Sequence, residues 1–258
     1  MEVLSPHSLE EALAIKAERP EAVPIQGGTD VMVELNFDRA RPQVLLNLNE
    51  VSELRGWSRD DGSLRLRSGL TYTEAMELGD PLRALAEASR TVGGPQIRNR
   101  GTIGGNLGTA SPAGDALPPL LVYGAVVELA STRGSREVPL QEFLVGPKRN
   151  ALEPDELIVA VRLDAPGPRQ TFMKVGPRNA MVISVVSLAM LVEDGEARVS
   201  YGSAGPVPGL VAGSPEDPDL PERVAEAATP IDDVRGTARY RRHALRVLAG
   251  RALERCLA

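Results

Sequence analysis

Apolar residues recur along this chain with two periods, and the changes of period mark out its segments. Leu9, Ala12, Leu13 and Ala17 share one helical stripe. Ser8 and Glu11 have the spacing of a capping box and Pro20 supplies a stop, so a helix is expected there. Residues 23–26 read as a short strand that runs into Gly27-Gly28. Residues 29–35 then read as a helix with Met32 and Leu35 on one side, and residues 43–48 as a strand. Helix, strand, Gly-Gly turn, helix and strand make a small α/β unit. Alternation over 64–68 predicts another strand, and residues 74–78 and 82–89 read as helices. The densest glycine region, 92–116, leads into an apolar helix over 115–123 and strands over 125–130 and 157–163.

Ala165-Pro-Gly-Pro-Arg169 is the strongest break in the chain. Beyond it, residues 170–175, 182–192 and 197–201 read as antiparallel strands, with Asp194-Gly195 as the hairpin turn between the last two. Residues 205–221, rich in Pro, Gly and Asp, are expected as a surface loop. Helices over 221–228 and 234–257 close the chain, and no internal repeat or low-complexity tract is present.

Composition narrows the chemistry. The 258 residues are 42% hydrophobic and 25% charged, which fits a folded globular chain. Aromatics at 3% argue against a stacking platform for single strands, and a net charge of −6 argues against a nucleic-acid or anionic-membrane binder. One cysteine, Cys256, excludes an internal disulfide, a four-cysteine zinc site and a self-contained iron–sulfur cluster. The two histidines, His7 and His243, stand near opposite ends, so a histidine metal site is excluded and a Ser-His-Asp triad is not expected. No catalytic residue and no metal ligand set is assigned. A bound cofactor has to carry any reaction. No stretch reaches the roughly 18 apolar residues of a membrane span, and the N-terminus has no signal-peptide pattern, so a cytoplasmic location is expected.

Two glycine clusters are the candidate cofactor site: Ile25-Gln-Gly-Gly-Thr-Asp30 and Gly101-Thr-Ile-Gly-Gly-Asn-Leu-Gly-Thr-Ala-Ser-Pro-Ala-Gly-Asp115. Neither is a P-loop or a G-x-G-x-x-G fingerprint. Each is compatible with a tight turn or with a phosphate cradle, in which glycines let backbone N–H groups approach an anion. Thr29 and Asn106 add side-chain donors. Asp30 suits a helix cap or a ribose hydroxyl. Neither cluster has a basic residue inside it, which suggests a diphosphate held by neutral donors.

These stretches resemble the two FAD-binding loops of the flavoprotein (medium) subunit of molybdenum hydroxylases, the family of xanthine dehydrogenase and aerobic carbon monoxide dehydrogenase. The resemblance rests on Gly27-Gly-Thr-Asp30, Thr102-Ile-Gly-Gly-Asn106 and Ala110-Ser-Pro-x-x-Asp115. It also rests on Leu152-Glu-Pro-Asp-Glu-Leu157, Lys174-x-x-x-Arg178 and the tail Asp232-Asp-Val-Arg-Gly-Thr-Ala-Arg-Tyr-Arg-Arg242, all in family order over nearly the whole chain. It implies an α+β fold: a vanillyl-alcohol-oxidase/PCMH-type FAD domain over 1–165, with a small α/β lobe to about 55 and a mixed lobe from about 56. An antiparallel sheet with helices follows over 168–258.

The resemblance also implies roles. Ile25, Gln26, Gly27, Gly28, Thr29 and Asp30 match the loop around the FAD diphosphate, and Thr102, Gly104, Gly105 and Asn106 match the second loop. Ser111 and Asp115 match the ribityl and adenosine side, Ile158 an apolar residue against adenine, and Lys174 a cation near the isoalloxazine that stabilises reduced flavin. Arg178 fits an ion-pair partner equally well. The implied assembly holds a molybdopterin-binding large subunit and a 2Fe-2S small subunit, as a dimer of heterotrimers, and hands electrons to NAD, quinone or oxygen. A stand-alone FAD oxidoreductase with its own substrate is the alternative. The single cysteine separates this chain from family members with an extra cluster in this subunit, and the 205–230 region looks compressed. The arginine-rich last helix reads as a solvated amphipathic helix, His7 and His243 as surface residues, and Trp57 and Cys256 as packing residues.

Overall fold

The computed structural model describes residues 1–258. The first lobe contains β1 (Glu2–Leu4), α1 (Leu9–Glu18), β2 (Val23–Ile25), α2 (Val31–Asn36) and β3 (Val44–Asn47), with a parallel sheet ordered β1-β3-β2. Ser8 Oγ accepts the Glu11 N–H at 3.1 Å. The Glu11 carboxylate bonds the His7 N–H instead of the Ser8 N–H, so only half of the expected capping box forms. The α1 stripe also shifts: Ala17 is exposed and Lys16 is buried, its Nζ donating to the Pro20 and Ala22 carbonyls.

The second lobe runs from β4 (Trp57–Asp60) and β5 (Ser63–Arg67) through α3 (Tyr72–Glu77), α4 (Arg83–Thr91), α5 (Pro95–Arg98), α6 (Ile103–Thr109) and α7 (Leu117–Val122). It continues with β6 (Val126–Ser131), β7 (Gly134–Pro139), α8 (Leu140–Phe143), β8 (Leu144–Gly146), β9 (Arg149–Asn150) and β10 (Leu157–Asp164). Its antiparallel sheet is ordered β4-β5-β10-β6-β7. Strand β10 joins the two lobes. Leu157 and Val159 pack in the first lobe's core, while Ile158, Val161 and Leu163 pack in the second lobe's core. The inward side chains therefore switch from even to odd numbers. A register shift between Ile158 and Ala160 leaves Val159 as the extra residue and makes that switch possible.

The third unit holds β11 (Gln170–Val175), β12 (Val186–Glu193), β13 (Glu196–Gly202), β14 (Gly209–Gly213), α9 (Leu220–Ala227) and α10 (Ala238–Leu257). The sheet is antiparallel in sequence order. Val186, Leu188, Met190 and Val192 face the core shared with α9 and α10, and Ala189 and Leu191 face the second lobe's core, where α7 packs on β12. Burial on both faces explains why β12 is apolar without alternation. Asp194 and Gly195, with φ of 51° and 77°, make the expected hairpin turn.

Several expectations need correction. The expected loop 205–221 contains edge strand β14, because Tyr201 pairs with Gly209 where a side chain would strike the Tyr201 ring. The last helix starts at Ala238, capped by Thr237, since residues 233 and 236 pair with each other in a tight turn. Trp57 is 47% exposed rather than packed, and Arg241, expected in solvent, is 2% exposed. Cys256 is buried, and His7 and His243 are exposed, as expected.

Three glycines allow close approaches around the junction of the lobes, Gly104 within the second lobe and Gly69 and Gly27 between the two. An added Cβ at Gly104 would lie 2.5 Å from Ser68 Cβ and 2.7 Å from Ser68 O. One at Gly69 would lie 2.6 Å from Leu54 O, and Gly27 abuts the Arg100 carbonyl. The bonds made there include Gly104 N–H to Ser68 O at 2.7 Å and Ser68 N–H to Val159 O at 2.9 Å. Gly108, by contrast, would place a Cβ no nearer than 3.8 Å to Ile158 Cδ1. Gly104→Ala is therefore expected to cost about 1–3 kcal/mol of stability through overpacking. Gly108→Ala, in the same helix, is expected to add about 0.5–1 kcal/mol. Urea unfolding of the two variants measures both; equal effects would contradict the close-packing role of Gly104.

Candidate functional site

A groove of about 290 Å³ opens between the first two lobes, and both glycine clusters line it. Its first wall is the turn between β2 and α2. None of the N–H groups of Gly27, Gly28, Thr29 and Asp30 donates to any acceptor in the chain. Gly28 holds the turn open with φ of 73°. Arg100, which does not line the groove, donates from Nη2 to Gln26 O at 3.0 Å and Asn49 Oδ1 at 3.1 Å, so that carbonyl already has a partner while the N–H groups of the turn have none.

The second wall differs from the expectation. Residues 103–109 form α6, and its first N–H groups are already bonded. Gly104 N–H donates to Ser68 O at 2.7 Å, Gly105 N–H to Thr102 Oγ1 at 3.0 Å and Asn106 N–H to Thr102 O at 3.0 Å. This cluster is thus not a second set of free backbone donors. Its contribution is shape. Gly105 and Gly108 are exposed, line the groove and stand three apart on the helix, so that face of α6 carries no side chain. Gly104 sits behind them against Ser68. The walls are tied by Thr109 Oγ1, which donates to Asp30 Oδ2 at 3.0 Å.

The polar floor has spare bonding capacity. Ser68 Oγ and Asn106 Oδ1 are buried, line the groove and have no partner. A buried polar atom without a partner is costly, so these atoms are suited to a polar ligand. One end of the groove is apolar, with Val23, Pro24, Leu48, Leu152, Leu157 and Ile158. Glu156 stands beside it. Arg136, bonded to both of its oxygens at 2.6 and 2.7 Å, holds the Glu156 carboxyl below the usual carboxylate range. No Lys, Arg or His lines the groove.

Of the residues singled out in the sequence, Ile25, Gln26, Gly27, Gly28, Thr29, Asp30, Thr102, Gly104, Gly105, Asn106 and Ile158 come together here. Ser111, Asp115 and Lys174 do not line the groove. Lys174 Nζ pairs with Asp115 Oδ2 at 2.5 Å, and the two side chains are 6% and 7% exposed. Burial pushes the Asp115 carboxyl up, and the Lys174 ammonium opposes that shift. Asp115 Oδ1 has no partner. Ser68, Tyr72, Gly108, Thr109 and Glu156 line the groove without having been singled out. Gly108, Thr109 and Glu156 lie inside quoted motifs, and Ser68-Gly69 is a turn signal at a strand end. Tyr72 carries no sequence signal for this site.

A free backbone cradle, a bare helix face, a partnerless polar floor and an apolar end fit an extended dinucleotide with a diphosphate at its middle. The observed donors and shape therefore fit FAD.

Known proteins are similar to this chain in sequence and fold. The family described as FAD binding domain in molybdopterin dehydrogenase matches residues 1–166. The chain is 36% identical to a putative xanthine dehydrogenase FAD-binding subunit of Escherichia coli K12, over 78% of this chain and 73% of that one. It is 30% identical to the carbon monoxide dehydrogenase medium chain of Afipia carboxidovorans, over 98% of this chain and 95% of that one. In fold it matches a chain of reconstituted CO dehydrogenase from Oligotropha carboxidovorans with a TM-score of 0.92 at 24% identity, over 99% of this chain and 97% of that one. The chain belongs to the family of FAD-binding domains of molybdopterin dehydrogenases.

Proposed function

We propose that this chain is the FAD-carrying electron-transfer subunit of a molybdenum hydroxylase complex. It would receive electrons from the iron–sulfur clusters of a small partner subunit, after substrate is oxidised at a molybdopterin-bearing large subunit, and pass them to an acceptor such as NAD, a quinone or oxygen. The observation that carries the reading is the row of four unpartnered N–H groups at Gly27–Asp30 in a groove without a cation.

In this reading the 27–30 turn holds the diphosphate, and the bare face at Gly105 and Gly108 lets it lie against backbone. Ser68 Oγ and Asn106 supply further hydrogen bonds. The apolar end at Leu152, Leu157 and Ile158 takes the adenine. The family resemblance implies that Ser111 and Asp115 stand toward the ribityl and adenosine side and Lys174 near the isoalloxazine. Bound FAD supplies the redox chemistry, accepting electrons and releasing them to an acceptor. The chain's own residues bind and orient the cofactor. Electron transfer needs no protein acid or base, which suits a groove without histidine or thiol. A division into a flavin domain over 1–165 and a C-terminal domain over 168–258 belongs to the same proposal. The family match ending at residue 166 supports it.

Three outcomes are expected. The chain binds one FAD, read by titration of flavin fluorescence. Gly108→Leu abolishes that binding while the chain stays folded by far-UV circular dichroism, because the added side chain fills the groove and not the core; wild-type affinity in this variant would contradict the assignment. Second, Lys174→Met leaves Asp115 buried without its cation and costs about 3–5 kcal/mol in urea unfolding, much of which Lys174→Met/Asp115→Leu restores. Third, native mass spectrometry of the complex purified from its source gives this chain together with molybdopterin and iron–sulfur subunits. A flavin-loaded chain recovered alone and reducing an acceptor with its own substrate would overturn the subunit role.

A further inference from the structure

The tail segment 232–242 carries a motif that the groove does not use. Arg241 is 2% exposed; its guanidinium bonds the Asp233 carboxylate, and its Nη1 donates to Ser203 O at 2.7 Å. Arg235 grips Asp233 from the other side, Nη2 to Oδ2 at 2.8 Å, and its Nη1 reaches Ser184 O at 3.4 Å. Both serines are buried, and their hydroxyl oxygens are 2.7 Å apart. Ser203 has φ of 61°, a left-handed conformation that a residue other than glycine keeps only where its surroundings hold it.

In that conformation the Ser203 N–H donates to Pro112 O at 2.7 Å. Pro112 follows Ser111 in the short loop that ends at Asp115, and Asp115 pairs with Lys174. The C-terminal unit thus fastens one loop at two points: Lys174, at the end of β11, holds Asp115, and Ser203, just after β13, holds Pro112. The loop in turn meets the groove, since Gly114 packs against the Asn106 side chain so closely that a Cβ would lie 2.7 Å from Nδ2. The arginine and aspartate of the tail fix the second fastening point.

We propose that Arg241 is a positioning residue for FAD: held by Asp233, it locks Ser203 in the conformation that fastens loop 111–115, and so sets that loop against the cofactor. Arg241 acts through Ser203 and touches nothing in the groove. The inference rests on the reading that residues 111–115 contact FAD.

The test uses the full chain, freed of flavin and titrated with FAD. Arg241→Lys keeps the charge but loses the planar fork that spans Asp233 and Ser203 O. It is expected to raise the FAD Kd roughly tenfold and to change the visible circular dichroism of the bound flavin. Asp233→Asn shifts both in the same direction. Ser203→Gly keeps the N–H and relieves the positive φ, so its Kd stays within about twofold of wild type. Binding linkage supplies a readout on the unaltered chain. If the clamp supports FAD, then FAD supports the clamp, and it slows amide exchange at Ser203 roughly tenfold more than at Met190 in the middle of the sheet. Wild-type Kd and dichroism in Arg241→Lys and Asp233→Asn, or no added protection at Ser203 in a wild type that binds FAD, overturns the inference. So does a loss of affinity in Ser203→Gly equal to that in Arg241→Lys. A wild type that binds no FAD overturns the flavin reading itself and the inference with it.

Discussion

The hydrogen bond from Gly104 N–H to Ser68 O, at 2.7 Å, is the contact on which the groove depends. It forms because Gly104 has no side chain; a Cβ there would strike Ser68. It sets α6 against the end of β5, and the Ser68 N–H in turn reaches Val159, the bulged residue of β10. The bulge lets one strand serve two cores, so the lobe that carries the 27–30 turn and the lobe that carries α6 share a rigid spine. Gly27 against Arg100 and Gly69 against Leu54 complete the junction. Missing Cβ atoms let the chain approach closely at these three places, and at Gly69 the Gln26 side chain also packs against the bare backbone. Thr109 to Asp30 ties α6 directly to the turn, and Arg100 to Gln26 O and Lys148 to Glu34 add side-chain ties between the lobes.

The same economy of side chains shapes the electrostatics. A diphosphate could be held by arginine and lysine, but no basic residue lines this groove. Fixed N–H dipoles take their place. They need no side chain to be ordered on binding, and they can approach closely only where a Cβ is missing. Two of the charged groups nearby are neutralised in pairs, Glu156 by Arg136 at the apolar end and Asp115 by Lys174 beyond the groove, while Asp30 is bonded by the Thr109 hydroxyl and has no cation partner. The buried Lys174–Asp115 pair also links the C-terminal unit to the loop that follows α6. The chain therefore offers a cofactor seat and a set of anchors rather than acid–base machinery. That matches a protein with one cysteine and two exposed histidines.

Much of this was legible in the sequence because local signals and tertiary structure agree. The 23–25 strand, the Gly27-Gly28 turn, the Asp194-Gly195 hairpin and the central strand from 157 follow from local pattern and turn chemistry, and the strand expected over 182–192 forms from Val186 onward. Strand β14 was hidden because Pro, Gly and Asp dominate its surroundings, and its partner β13, from Ala197 to Tyr201, is distant information that the local pattern does not carry. The site was legible as a set of residues but not as a division of labour. A glycine that donates, such as Gly28, looks the same in sequence as one that packs, such as Gly104, or one that clears a helix face, such as Gly108. Only the neighbouring atoms separate them. Arg241 was misread for a related reason. A helix rich in arginine reads as solvated, and the buried acceptors that draw one arginine inward, Asp233 and Ser203, lie outside the helix.

The central claim is that the cofactor is held by the unpartnered amides of one turn, with the second glycine cluster contributing shape. Amide chemical shifts of the isotopically labelled chain, recorded as FAD is added, test it directly. The account predicts large shifts at Gly27, Gly28, Thr29 and Asp30, whose N–H groups gain acceptors. It predicts clearly smaller shifts at Gly104 and Gly105, whose N–H groups already have partners. Unmoved amides at 27–30 on saturation with FAD, or larger shifts at Gly104 and Gly105 than in the turn, would contradict it.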